Sequence, residues 1–240
     1  MSTVQGSWRG YGIVKDGLVL YLDASSPNSY NSNFGPTTWK DISGNGKNGT
    51  LLNGPIFNSG SGGGLLFDGT NDYVLNVAVE VYNNFSYDIW CLPQATHGID
   101  PESTSSTLGT SGQRYLVFPD YIDPPNAGTG ISVGTNGVSV YEHSTGYMPP
   151  LLVHETTITS PIHIVVNYTN KRPSLYLNGV FIKNGLTSPK PDVKITTNSL
   201  CGVLYGNFSG IVYNAKYYNR PLTDQEVLQN YNVTKSKFGL

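Results

Sequence analysis

The sequence predicts an all-β protein, a sandwich of two antiparallel sheets with one short helix near the C-terminus. The first observation is composition: charged residues make up only 12% of 240 residues, whereas glycine (28), proline (15) and tyrosine (17) are abundant. Tyrosine favours pleated strands, while glycine and proline favour turns. The other two observations are runs that alternate apolar with polar residues, and Asn-Gly pairs between such runs. One large domain suits this length.

Several strands and turns can be placed individually. In the run Phe85–Trp90, apolar residues at 85, 87 and 89 alternate with Ser86 and Asp88, a period of two that gives a strand two distinct faces. The Asn-Gly pairs at 136–137 and 178–179 each separate two strand-like runs, which predicts tight hairpins. The Asp-Gly pair at 68–69 has the same setting and predicts another hairpin.

The one predicted helix lies near the C-terminus. Thr223 followed by Glu226 is a capping box, in which the threonine side chain caps the backbone and the glutamate reaches back. Val227 and Tyr231 share a face of that helix, which we expect to end near Asn232.

The predicted organisation is an N-terminal arm (1–12), one sandwich domain (13–232) and a C-terminal tail (233–240). Within the domain, residues 94–112 form a polar loop with no strand pattern. Loops of this length are often functional or mobile.

Charge gives no reason to expect nucleic acid as a partner, because the net charge is −2. The distribution is uneven: residues 1–170 carry a net charge of −8, and residues 171–240 carry +6. Either strands from both halves interleave and mix the charges, or subunits match head to tail in a homo-oligomer.

Cysteine usage and hydropathy limit the protein class further. Cys91 and Cys201 lie in strand-like runs, which predicts buried thiols and neither a disulfide framework nor a zinc site. No segment has the apolar pattern of a signal peptide or the length of a membrane span. The sequence therefore predicts synthesis in a cytoplasm, without membrane insertion.

Four stretches, in order, carry a family resemblance that covers about residues 13–232. Together they are similar to laminin G-like, concanavalin A-like domains of bacterial surface proteins and tailed-phage virion proteins. The resemblance implies a jelly-roll sandwich that binds glycan or protein on a concave face or on rim loops. The stretches are Ile13–Ala24, Trp39–Asn58, Leu66–Val74 and Tyr217–Asn232.

The chain departs from this family where calcium is often held. Many relatives have an Asp-Glu pair shortly before the Tyr-Asn-Arg of the last strand, and Tyr213 and Asn214 occupy those positions here. Calcium prefers six to eight oxygen ligands, with carboxylates prominent. No cofactor is therefore predicted, with calcium at Asp23, Asp68 and Asp72 left as an alternative to turn chemistry.

The chain offers few candidates for catalysis. Glycosidases need two carboxylates at a set separation, and only Glu142 and Glu155 fall near strands in the middle of the domain. The histidines lack metal-site spacing, and no nucleophile elbow or phosphate loop occurs. The sequence therefore predicts a protein that is not an enzyme, with a polysaccharide hydrolase as an alternative.

A candidate carbohydrate-binding site lies in residues 136–147. Sugars pack a CH face on an aromatic ring while their hydroxyls bind polar groups, and the residues there are Asn136, Tyr141, His143 and Tyr147. The alternative is that these tyrosines pack in the core or at a sheet edge.

The function predicted is a non-catalytic structural, decoration or adhesion protein of a tailed-phage virion, displayed on capsid or tail. Its expected partners are other virion proteins, further copies of the chain and host-surface glycan. The alternative is a bacterial surface or cellular lectin module.

Overall fold

The computed structural model describes residues 12–31, 37–75, 79–196 and 199–240. The predicted arm, residues 1–12, lies outside this part except for its last residue. Two antiparallel sheets, sheet A and sheet B, pack face to face, and a short helix lies near the C-terminus. The predicted all-β sandwich is confirmed.

Sheet A runs in the order β14-β13-β12-β7-β17-β5-β4, and β1 also pairs with β17. Every pairing in it is antiparallel. Its strands are β1 (Leu18–Asp23), β4 (Ile56–Asn58), β5 (Gly64–Asp68), β7 (Phe85–Pro93), β12 (Ile162–Thr169), β13 (Arg172–Leu177), β14 (Val180–Asn184) and β17 (Ser209–Tyr218).

Sheet B runs in the order β11-β10-β9-β8-β16-β6-β3-β2, and β15 pairs in parallel with β9. Its strands are β2 (Thr38–Trp39), β3 (Gly49–Leu52), β6 (Tyr73–Leu75), β8 (Tyr115–Val117), β9 (Ala127–Gly134), β10 (Gly137–His143), β11 (Pro150–Glu155), β15 (Val193–Lys194) and β16 (Ser199–Leu200).

The alternation predicted for β7 is confirmed, and it separates the core from the outer face of sheet A. Tyr87 and Ile89 face sheet B and join the main apolar cluster, together with Val140 of β10. Asp88 and Trp90 point the other way, away from that cluster. A strand with period two can serve both surfaces because successive side chains point to opposite faces.

Two of the three predicted hairpins are confirmed, at 136–137 between β9 and β10 and at 178–179 between β13 and β14. The hairpin predicted at 68–69 is wrong, because β5 pairs in sheet A and β6 pairs in sheet B. The Asp68 carboxylate accepts the Thr70 backbone N–H (2.7 Å), and the Asp72 carboxylate accepts the Asp68 N–H (3.1 Å). These bonds fix a corner that carries the chain between sheets.

The predicted helix α1 (Asp224–Thr234) begins with the expected capping box. Thr223 Oγ1 accepts the Glu226 N–H (3.3 Å), and the Glu226 carboxylate accepts the Thr223 N–H (2.9 Å). The helix ends two residues later than expected, and a 3₁₀ turn follows at Lys235–Phe238. The Phe238 ring stacks on Trp90 (4.3 Å between centroids), so the tail lies against the outer face of sheet A.

A buried ionic cluster lies beneath α1. Asp88 Oδ1 accepts from Lys216 Nζ (2.6 Å) and His163 Nε2 (3.0 Å), and Asp88 Oδ2 accepts from Asn230 Nδ2 (2.7 Å). All four side chains are fully buried. Burial alone would raise the pKa of Asp88, but the adjacent Lys216 and His163 hold it well below its ordinary value.

Candidate functional site

The loop at residues 94–112 covers the outer face of sheet B. Asp100 Oδ2 accepts from the Tyr141 hydroxyl (2.7 Å), the Gly109 carbonyl accepts from the Tyr115 hydroxyl (2.6 Å), and His97 Nδ1 contacts Ser132 Oγ (2.9 Å). Tyr115 and Tyr141 are fully buried as a result. The middle of this face is therefore closed to a ligand while the loop is in place.

We expect Asp100→Asn to loosen this loop, because its carboxylate accepts from both Gln113 Nε2 (3.0 Å) and the Tyr141 hydroxyl. Hydrogen bonds to charged groups contribute about 1.5–3 kcal/mol each. Hydrogen exchange of the loop amides is expected to accelerate roughly tenfold or more. Asp123→Asn, at an exposed position, is the matched control. Equal exchange rates in the two variants would contradict a clamping role for Asp100.

The structure separates the four residues predicted to bind carbohydrate. Asn136 bonds the backbone N–H and carbonyl of His97 (3.0 Å each) and so holds the covering loop. Tyr141 lies beneath that loop. Tyr147 is 7% exposed, and its hydroxyl donates to the buried Glu142 (2.9 Å). His143 is half-buried and lies among exposed aromatic residues.

We call Tyr121, His143 and Tyr205 the aromatic cradle. The ring centroids of Tyr121 and Tyr205 lie 5.6 and 5.8 Å from that of His143, and both rings meet it at 79°. Tyr121 is 50% exposed and Tyr205 is 40% exposed. Phe118 is buried against His143 and Tyr205. The cradle is thus an open aromatic surface on a packed support.

Two loops and the end of one strand build the cradle at one end of sheet B. Tyr121 follows β8, His143 ends β10, and Tyr205 lies between β16 and β17. The Tyr121 hydroxyl bonds the Thr145 hydroxyl. Tyr205 has a positive φ of 62°, a conformation costly for an aromatic residue that the surrounding structure must enforce.

The sequence pattern singled out neither Tyr121 nor Tyr205. Both lie in loops, where no periodicity indicates which way a side chain points, and they are 84 positions apart in the sequence. The sequence around each tyrosine indicates a turn and nothing about a binding site: two prolines follow Tyr121, and glycines flank residues 203–205. Their meeting at His143 depends on the pairing of β8 and β16, which local signals do not encode.

His143 is held as a neutral imidazole with a defined orientation. Its Nδ1 lies 2.8 Å from the Pro119 carbonyl oxygen, which can only accept, so Nδ1 carries the proton. Burial lowers the pKa of His143, which keeps the ring neutral near pH 7.

The two glutamates considered for catalysis lie apart. Glu155 pairs with Gly137 at the start of β10, whereas Glu142 lies five residues further on, roughly 16 Å along the strand. Glu142 also faces the interior, where Ser188 and Tyr147 donate to it. These two side chains therefore cannot flank one glycosidic bond.

The carboxylates considered for calcium are engaged in turns. Asp23 accepts from Ser25 Oγ (2.6 Å) and the Tyr21 hydroxyl (2.9 Å), and Asp68 and Asp72 hold the corner described above. Backbone N–H donors, chiefly that of Thr70, lower the pKa of Asp68. Over the described ranges, no three His, Cys, Asp or Glu side chains are grouped so that they could hold a metal ion.

No family model and no curated protein matches the sequence. Among solved structures, the binding domain of Paraclostridial Mosquitocidal Protein 1 is 17% identical with a TM-score of 0.63, over 91% of this chain and 52% of that one. The binding domain of botulinum neurotoxin DC in complex with SialylT is 13% identical with a TM-score of 0.65, over 92% and 52%. The chain thus spans about half the length of these toxin domains.

A third similar structure matches over nearly its whole length. Domain 4 of AbnA, a GH43 extracellular arabinanase from Geobacillus stearothermophilus, in complex with arabinotriose, is 16% identical with a TM-score of 0.57, over 89% of this chain and 98% of that one. At such identities the likeness concerns the fold. In its fold, the chain is a lectin-like β-sandwich.

Proposed function

We propose that this chain is a non-catalytic carbohydrate-binding module whose ligand packs on the aromatic cradle. The observation that carries the proposal is the pair of exposed rings, Tyr121 and Tyr205, on either side of His143. Aromatic rings take the CH faces of a sugar, and a few fixed polar groups orient its hydroxyls. The fold adds support, since similar structures were solved in complex with SialylT and with arabinotriose.

A glycan array with the purified protein tests the proposal. We expect specific binding, and we expect Tyr121→Ala and Tyr205→Ala each to weaken it by about threefold to tenfold, because stacked rings contribute roughly 0.5–1.5 kcal/mol. Tyr82→Ala is the matched control, since Tyr82 is 43% exposed and lies outside the cradle. We expect a chelator to leave binding unchanged, because no carboxylate belongs to the cradle.

Two outcomes would contradict the proposed site. Binding that survives both cradle variants would place the ligand elsewhere on the chain. Failure to bind any glycan, with or without calcium, would favour a purely structural role.

We further propose that the module belongs to a tailed-phage virion, as a decoration or adhesion protein on capsid or tail. The family resemblance of the four sequence stretches supports this setting, and a bacterial surface or cellular lectin is the competing one. Mass spectrometry of purified particles is the test. Recovery of the chain only from particle-free lysate would contradict the virion setting and favour the lectin.

A further inference from the structure

We infer that the aromatic cradle selects uncharged sugars over carboxylated ones, with His143 Nε2 accepting a hydrogen bond from a sugar hydroxyl. This inference rests on the proposed function. It assigns to His143 a role in specificity and to the ligand a chemical class.

The hydrogen bond to Pro119 defines what His143 offers a ligand. Because Nδ1 donates to the Pro119 carbonyl, the neutral ring carries its lone pair on Nε2. Within the described part of the structure, no side chain donates to Nε2. This nitrogen is also not one of the buried polar atoms that lack a partner, so it is open to a ligand. A hydroxyl can donate to it, whereas a carboxylate cannot, because a carboxylate only accepts.

The charges around the cradle also disfavour an anionic sugar. The segments that surround it, residues 118–126, 143–149 and 199–207, contain Asp120 and Asp123 and neither lysine nor arginine. Lys190 lies over the ring of Tyr147 (4.0 Å), whose hydroxyl points to Glu142 in the interior. A carboxylated sugar would lose water at the cradle, and these three segments offer it no lysine or arginine in return.

Two substitutions of His143 separate ligand binding from structural support. Asparagine can place its amide N–H near the Nδ1 position and so keep a donor for Pro119, but it cannot reach the Nε2 position. Glutamine can place its amide oxygen near Nε2 and so keep an acceptor for the ligand, but it leaves the Pro119 carbonyl without its donor. A role in specificity and a merely structural role therefore predict opposite rankings of these variants.

The probes are lactose, maltose, arabinotriose and sialyllactose, and calorimetry measures the dissociation constant of each. Sialyllactose is lactose with one carboxylated sugar added, so this pair differs only in that sugar. We expect at least one neutral probe to bind, and sialyllactose to bind more weakly than lactose. We expect His143→Asn to weaken neutral-sugar binding by about tenfold, and His143→Gln by about threefold or less. Thermal unfolding is expected to show the reverse order, with His143→Gln the less stable.

Nitrogen-15 NMR of the unsubstituted protein measures the protonation state of His143 Nε2 directly, without relying on variants that must fold. We expect the His143 Nε2 resonance to have the shift of an unprotonated nitrogen and to move upfield when the neutral probe is added. A protonated Nε2 would overturn the inference.

Other outcomes also decide the matter. Suppose that binding is lost in Tyr121→Ala but is stronger for sialyllactose than for lactose. That result would overturn the inference and leave the proposed function standing. Weaker binding by His143→Gln than by His143→Asn would have the same consequence. Binding to carboxylated sugars alone would overturn the inference only. Binding unaffected by Tyr121→Ala and Tyr205→Ala would overturn both, and so would the absence of binding to any glycan on the array.

Discussion

Lys216→Met is expected to lower the free energy of unfolding by about 3–5 kcal/mol, because it leaves the Asp88 carboxylate buried without its cation. Both side chains are fully buried, so no water can replace the lost partner. His163 and Asn230 would still donate to the carboxylate, but neither is a permanent cation. Urea unfolding at neutral pH measures the change.

The matched control is Lys183→Met, which removes the lysine of a partly exposed pair with Glu102 (2.5 Å). Exposed ion pairs contribute about 0–1 kcal/mol, so this variant is expected to change stability little. In the double variant Asp88→Asn with Lys216→Met, both charges are gone, and part of the loss is expected to return. If Lys216→Met costs no more than Lys183→Met, the cluster does not stabilise the sandwich as described.

Glu142→Gln is expected to stabilise the protein at neutral and alkaline pH. Burial raises the pKa of Glu142 from 4.5 to about 7, despite hydrogen bonds from Ser188 and Tyr147. Both donors bond Oε2, and within the described part of the structure Oε1 receives no comparable hydrogen bond. The folded protein therefore ionises this carboxyl at a cost that an uncharged amide avoids.

The pH dependence gives the sign of the effect. Below pH 4.5 the carboxyl holds its proton in both states and contributes nothing. Between pH 4.5 and about 7 the unfolded chain releases the proton while the folded protein keeps it, so stability falls as the pH rises. Above this window the loss is complete, at about 3 kcal/mol.

The measurement is the difference in unfolding free energy between Glu142→Gln and the unsubstituted protein, followed from about pH 4.5 to 8. A difference is needed because burial lowers the pKa of His97 to about 4, and that group gives stability a slope of opposite sign. Glu155→Gln, at an exposed position, is expected to show no such trend. A difference that does not grow with pH would contradict an ionised, buried Glu142.

The sequence predicted correctly those strands, turns and helix ends that depend on residues close to one another along the chain. The alternation in β7 follows from the two faces of one strand, and the capping box at Thr223 uses neighbouring backbone groups. The Asp-Gly turn at 68–69 failed because two residues cannot report whether the next strand joins the same sheet. Bonds from the Asp68 and Asp72 side chains make that turn a corner.

The candidate site was predictable only in part. His143 lies at the end of a strand that the sequence marks clearly, whereas Tyr121 and Tyr205 reach it from loops of two other connections. Tyr141 and Asn136 were predicted to bind carbohydrate because of their residue types, but both interact with the covering loop. Residue type alone did not distinguish the tyrosine buried beneath the covering loop from the tyrosines exposed at the cradle.

The separation of the cradle from the sheet bears on how readily the specificity of this protein can change. The covering loop and the paired strands of sheet B are packed and hydrogen-bonded, whereas the Tyr121 and Tyr205 rings project from two connections between strands. A new ring or hydroxyl at position 121 or 205 alters what meets the ligand without disturbing strand register. The sandwich can thus acquire new ligands by exchange of a few loop residues, as an antibody domain does, while its framework is inherited unchanged.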